Sequence, residues 1–178
     1  MNQLQHTGQP IVFSKHPDQP GVYRLQTELF VPSSLTEVFA FFADAFQLET
    51  ITPPWLNFRV LTPRPFEIQK STLIDYKLRL HMIPIRWQSE ISEWEPPPRF
   101  VDQQIRGPYT LWYHDHTFEE KDGGTLVRDV VDYSMLGGSL VNRFFVQNDL
   151  RKIFEYRHKK LREIFGVDDS QSDTEKNE

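Results

Sequence analysis

Gly137 to Gly166 reads GGSLVNRFFVQNDLRKIFEYRHKKLREIFG, and the reading of this stretch decides the fold. Leu140, Val141, Phe144, Phe145, Ile153, Phe154, Leu161, Ile164 and Phe165 recur at threes and fours until Gly166 supplies a stop. The spacing predicts one helix much longer than the usual ~11–12 residues. Such a helix needs a broad apolar partner for its stripe. The basic residues between Arg151 and Arg162, interleaved with Glu155 and Glu163, read as its solvated face.

The partner has to come from the residues before it. VYRLQTELFV, from Val22, alternates apolar and polar residues and predicts a first strand. Pro32 breaks it. Ser34 and Glu37 then form a capping box ahead of Leu35, Val38, Phe39, Phe42 and Phe46, and a second short helix runs from Asp44 until Pro53 and Pro54 stop it. From Trp55 to Met135 six further strands are predicted: LNFRVLT, TLIDYKLRLHM, PIRWQSEISEW, RFVDQQI, YTLWYHDHTF and TLVRDVVDYSM. Short connections rich in Pro and Gly separate them, which implies an antiparallel meander. The expected class is therefore α+β: a curved antiparallel sheet of about seven strands around a long C-terminal helix, with two short helices after the first strand.

Length and composition set the boundaries. The 178 residues, 38% hydrophobic with 14 Phe, suit one domain with a real core. Residues 1–21 read as a flexible arm, 22–166 as the domain and 167–178 as a disordered acidic tail. Of the net charge of −5, that tail holds −4, five acids against Lys176, so the body is close to neutral. A near-neutral body lacks the basic surface that non-specific nucleic-acid binding requires. The absence of cysteine excludes disulfides, thiol nucleophiles and Cys-ligated zinc. MNQLQHTGQP has neither the basic start nor the apolar stretch of a secretory signal, and no run is long enough to span a bilayer, so a cytoplasmic protein is expected.

ITPPWLNFRVLTP at Ile51 to Pro63, SEWEPPPRFVDQQIRGPYTLWYHDHTFEE at Ser92 to Glu120 and GGTLVRDVVDYSM at Gly123 to Met135 carry a family likeness. In these stretches and in its order of elements the chain resembles the START-like (SRPBCC) superfamily, which includes polyketide cyclase/dehydrase and lipid-transport-like proteins. The resemblance implies the helix-grip fold and a cavity between sheet and helix for a small hydrophobic ligand such as a lipid, polyketide, quinone or isoprenoid. It does not choose among carriers, receptors, cyclases and co-chaperones.

Alternation assigns the candidate residues to faces. In the TLIDYKLRLHM strand Tyr76, Leu78 and Leu80 turn inward with Ile74 and Met82. Trp112, His114 and His116 share a face with Phe118 on one strand of the last hairpin, and Asp129, Val131 and Tyr133 share one with Val127 on the other. If Phe118 pairs with Thr125 across a six-residue loop, His114 stands opposite Asp129. That pair serves equally as an acid–base couple or as a static polar network holding a ligand's head. Phe39 and Phe42 from the first helix and Phe145 and Phe154 from the last complete the expected pocket wall. Trp55, Trp87 and Trp94 read as core or pocket wall as well.

His114-x-His116 invites a metal reading, and the run from Gly107 to Glu120 resembles a first cupin motif. Glu120 falls at the hairpin turn and no second motif follows, so neither a metal nor a cofactor is expected. Ser89, Ser92 and Ser134 lack a nucleophile elbow. Three functions remain open: a binder of a hydrophobic ligand, a cyclase or dehydratase using His114 and Asp129, and a protein-interaction module. A monomer or weak homodimer is expected.

Overall fold

The computed structural model of the chain describes residues 10–167. One antiparallel sheet holds β1 (Val12–Lys15), β2 (Tyr23–Val31), β3 (Arg59–Val60), β4 (Leu73–Leu80), β5 (Ile83–Glu95), β6 (Arg99–Arg106), β7 (Leu111–Lys121) and β8 (Gly124–Ser134). Its spatial order is β1-β2-β8-β7-β6-β5-β4-β3, so β3 to β8 form a meander and β2 pairs with its last strand. Between β2 and β3 lie α1 (Leu35–Phe42) and α2 (Leu48–Ile51). After β8, α3 (Gly138–Val141), a π-turn (Asn142–Val146) and α4 (Gln147–Phe165) follow as continuous helical backbone. This is the α+β helix-grip architecture, and among the described residues no helix is long and apolar enough to cross a membrane.

Local chemistry explains the element ends. Glu37 N donates to Ser34 Oγ at 3.3 Å and Ser34 N to Glu37 Oε2 at 3.2 Å, the expected capping box of α1. Asp44 accepts from Phe46 N at 2.9 Å and starts the next turn. Gly166, at φ 71°, closes α4, with Val167 N donating to Arg162 O at 2.9 Å.

Four expectations need correction. First, the arm expected over 1–21 contains a strand. Val12 to Lys15 pair with Gln26 to Tyr23, and Ile11 is buried beside Leu25 and Tyr133. Four residues are too few for alternation to announce a strand, but β2 offers an open edge and Ile11 and Phe13 gain burial by covering it. Beyond Val167, the expected acidic tail lies outside the described residues.

Second, the β7–β8 loop has two residues rather than six. Lys121 pairs with Gly124 around Asp122 and Gly123, whose φ values of 49° and 80° are those of a primed hairpin turn. Phe118 therefore meets Val127, His116 meets Asp129 and His114 meets Val131. The shift is two residues, so every side chain keeps its expected face.

Third, the terminal helix is phased differently. Its buried residues are Asn142, Val146, Leu150, Phe154, Arg157, His158 and Leu161, whereas Leu140, Phe144 and Phe145 are exposed. The fully buried Tyr133 hydroxyl donates to Asn142 Oδ1 at 3.0 Å, which draws Asn142 inward at the π-turn and sets the stripe that follows. Fourth, Arg157 and His158 do not belong to the solvated face.

Candidate ligand-binding site

A cavity of about 170 Å³ lies between α4 and the sheet. β4 contributes Ile74, Tyr76, Leu78 and Leu80, every second residue of one strand face. The helices opposite contribute Phe42, Leu48 and Ile51 from α1 and α2 and Leu150, Phe154 and Arg157 from α4. Trp87, Tyr109 and Trp112 close one side, with Trp112 edge-on to Trp87 at 5.3 Å between ring centroids.

Of the residues expected to line a pocket, Phe42, Tyr76, Leu78, Leu80, Trp112, His114, His116 and Phe154 do so. Five do not. Phe39 is packed among Trp94, Phe100 and Phe118. Val131 and Tyr133 are fully buried where Ile11, Val146 and Leu150 press directly on β8. Asp129 lies beneath the imidazoles, and Phe145 points to solvent because of the helix phase. Trp55 also stands outside, 58% exposed and edge-on to Tyr156.

Asp102, His114 and His116 of the wall form a cluster with Asp129, which lies behind the two imidazoles. His114 and His116, two apart on β7, face the same way with ring centroids 3.7 Å apart. Asp102 comes from the neighbouring β6, paired opposite His114. Its Oδ2 is 3.1 Å from His116 Nε2 and 3.5 Å from His114 Nδ1, while Oδ1 is 3.4 Å from the Ser89 hydroxyl. On the far side Asp129 Oδ1 is 2.9 Å from His114 Nε2 and 2.8 Å from His116 Nδ1. The second of these contacts is off the line a ring N–H needs, so the buried Nδ1 of His116 has no aligned partner.

Burial and partners set the charges. Burial pushes the Asp129 and Asp102 carboxyls up, but hydrogen bonds and charge from the imidazoles outweigh it, holding Asp129 well below and Asp102 below the ordinary range. Burial lowers His114, with the neighbouring His116 adding to the effect. For His116 the same burial is overcome by the hydrogen bond to Asp102 and by the close negative charge of Asp129 and Asp102, and its affinity for a proton rises. His158, hydrogen-bonded at 3.2 Å to Thr27, is lowered by burial to about 4.

Asp102 and Arg157 are among the wall residues outside the sequence expectation. Asp102 is legible as the residue two beyond Phe100 on one strand face, and Arg157 as the member of the Phe154–Leu161 stripe that happens to be charged. Arg157 is only 9% exposed, its guanidinium 4.8 Å from the Phe154 ring centroid, and its Nε and Nη1 have no hydrogen-bond partner. Glu120, whose place at the hairpin turn argues, with the missing second motif, against a cupin-like site, is exposed at the hairpin end. Asp102 is the carboxylate that joins the two histidines: the donor atoms of Asp102, His114 and His116 lie within 4.8 Å of one another.

The fold and this cavity define a helix-grip protein with a polar cluster at the pocket wall. No known family profile and no curated protein sequence matches the chain. Among solved structures it is similar to protein Ms6760 from Mycobacterium smegmatis, with 16% identity over 88% of this chain and 98% of that one and a TM-score of 0.64. TTHA0849 from Thermus thermophilus has 20% identity, covers 79% of this chain and 94% of its own, and gives 0.59. Ginseng major latex-like protein 151 from Panax ginseng has 10% identity, covers 82% and 98%, and gives 0.62. At these identities the likeness establishes the shared fold alone.

Proposed function

We propose that the protein binds a small amphipathic acid, an apolar ring or short chain with an oxygen-bearing head, in the cavity beneath α4. Arg157 is the observation that carries this reading. Its buried Nε and Nη1, without a hydrogen-bond partner, stand in a mostly apolar wall whose other polar members are Asp44, Gln47, Thr52, Ser89 and the Asp102–histidine cluster. A buried charged donor without an acceptor costs upwards of about 1–3 kcal/mol, and a ligand carboxylate or enolate oxygen would relieve that while gaining charge-assisted hydrogen bonds. The apolar walls supply affinity at roughly 25 cal/mol for each Å² removed from water.

Size narrows the class. At about 170 Å³ the space is comparable with the ~150 Å³ cavity known to take benzene, so it suits a single ring or a short acyl end. A lipid, polyketide, quinone or isoprenoid would place only one end inside. Organic extraction and mass spectrometry of natively purified protein tests the proposal. The expected finding is a retained acid of that size. Empty extracts, together with no saturable binding of any apolar acid to folded protein, would overturn it in favour of an interaction module.

The cyclase or dehydratase reading has one observation in its favour, the 2.9 Å contact of His114 with Asp129 at the cavity wall. Under that reading His114→Ala abolishes turnover of an enolisable acid while its binding persists.

A further inference from the structure

We infer that Asp102, His114 and His116 form a binding site for one divalent first-row transition-metal ion, with Asp129 as the carboxylate that orients both imidazoles from behind. The inference reverses the metal-free expectation from the sequence and stands apart from the identity of the cavity's ligand.

Convergence is the first argument. Asp102 Oδ2 is 3.1 Å from His116 Nε2 and 3.5 Å from His114 Nδ1. Metal bonds of about 2.0–2.1 Å to nitrogen and oxygen put neighbouring ligand atoms roughly 3.0–3.4 Å apart, so both Asp102 separations are close to those around a bound ion, and all three donor atoms lie within 4.8 Å of one another. Asp102 turns its other oxygen to Ser89, 3.4 Å away, which leaves Oδ2 for the ion.

The second argument is the treatment of the outer nitrogens. A ligating imidazole needs its inner nitrogen unprotonated and its outer N–H held by an acceptor. Asp129 Oδ1 lies 2.9 Å from His114 Nε2 and 2.8 Å from His116 Nδ1, the nitrogens that face away from Asp102. His114 Nε2–H donates to Asp129, and a small turn of the His116 ring would align its Nδ1–H on the same oxygen; two imidazole lone pairs and one carboxylate lone pair would then converge, and a cation satisfies all three. Without metal, a proton on His116 Nε2 shared with Asp102 fills that role; the ion displaces it to solvent.

Rigidity and access agree. Phe100 stacks on the His116 ring at 4.4 Å, and Trp112 and Phe154 meet the His114 ring edge-on at 6.1 and 5.9 Å. All three ligands line the cavity, so the remaining coordination positions open onto it. Two histidines and one carboxylate suit zinc, cobalt(II), iron(II) or manganese(II).

Cobalt(II) alone is the probe, added to chelator-treated, tag-free protein and followed by its visible absorption. One equivalent should bind saturably, and zinc should displace it. Asp102→Asn, nearly isosteric, and His116→Ala should each remove the band, with circular dichroism confirming that the variant is folded. Asp129→Asn retains all three ligands and should weaken binding about 10–100-fold. His81→Gln removes the exposed His81–Asp149 pair on the surface and should change nothing. No saturable uptake by the folded wild type overturns the inference, as does uptake unchanged in folded Asp102→Asn and His116→Ala. Cobalt uptake is read with no organic ligand present, so its failure beside intact binding of an apolar acid removes the metal site and leaves the proposed function standing.

Discussion

The helix after Gly137 is two different objects along its length. In Gln147–Phe165 the residues Leu150, Phe154 and Leu161 are 3%, 1% and 1% exposed, whereas in the turns before it Leu140, Phe144 and Phe145 are 69%, 64% and 60% exposed. Both parts carry apolar residues at threes and fours. The difference teaches that periodicity specifies a helix, while the surface opposite decides which stripe is buried. Here Tyr133 takes Asn142, and the stripe that follows in phase with Asn142 is the one the sheet covers.

The sharpest contrast is a pair of identical substitutions. Phe154→Asp should destabilise by more than about 4 kcal/mol, because it empties a core position and buries an unpaired charge, and chemical denaturation should find it unfolded or barely folded. A near-normal unfolding curve would break the comparison. His158 offers the next largest effect. Its folded pKa of about 4 lies below the unfolded value near 6.5, so its contribution is complete above pH 6.5 and is lost as pH falls through 4. The shift corresponds to about 3 kcal/mol. Stability measured at pH 7 and at pH 4 should therefore differ less in His158→Gln than in the wild type; an equal difference would show that His158 is not held neutral.

The cavity lies beneath the covered part of the helix, lined there by Leu150, Ile153, Phe154 and Arg157. Leu78→Trp should fill it, leaving the protein folded but weakening a bound aromatic acid at least about tenfold, or ~1.4 kcal/mol. Unchanged affinity would move the ligand elsewhere. The smallest effect belongs to Phe145→Asp, which should stay within about 0.5 kcal/mol of the wild type by the same denaturation assay. A large loss there would mean that the exposed part of the helix is covered in solution.

Much of this is legible in the sequence. The strands of the meander, the Ser34–Glu37 cap and the long helix follow from alternation, punctuation and 3.6-residue spacing, which act locally. The inward set of β7 and β8 is correct even though the expected register is off by two, because an even shift preserves faces. What the sequence hides is non-local or chemically disguised. Asp122-Gly123 signals a two-residue turn, but the Gly124 that follows makes a longer loop look equally suitable. Arg157 stands on the Phe154–Leu161 stripe by spacing, yet its charge assigns it to water until a cavity is found beneath it. Asp102 joins the histidines across β6 and β7, a meeting that only the strand register decides.

In the function proposed here, Arg157 holds the oxygen head of a ligand in a mostly apolar cavity. Calorimetric titration of phenylacetate and its neutral amide, phenylacetamide, into the wild type and Arg157→Met tests it most directly. The acid should bind the wild type saturably and at least about tenfold more tightly than the amide, and that preference should be lost in the folded variant while the amide binds as before. Equal affinity for acid and amide in the wild type, or an acid preference that survives Arg157→Met, would contradict it.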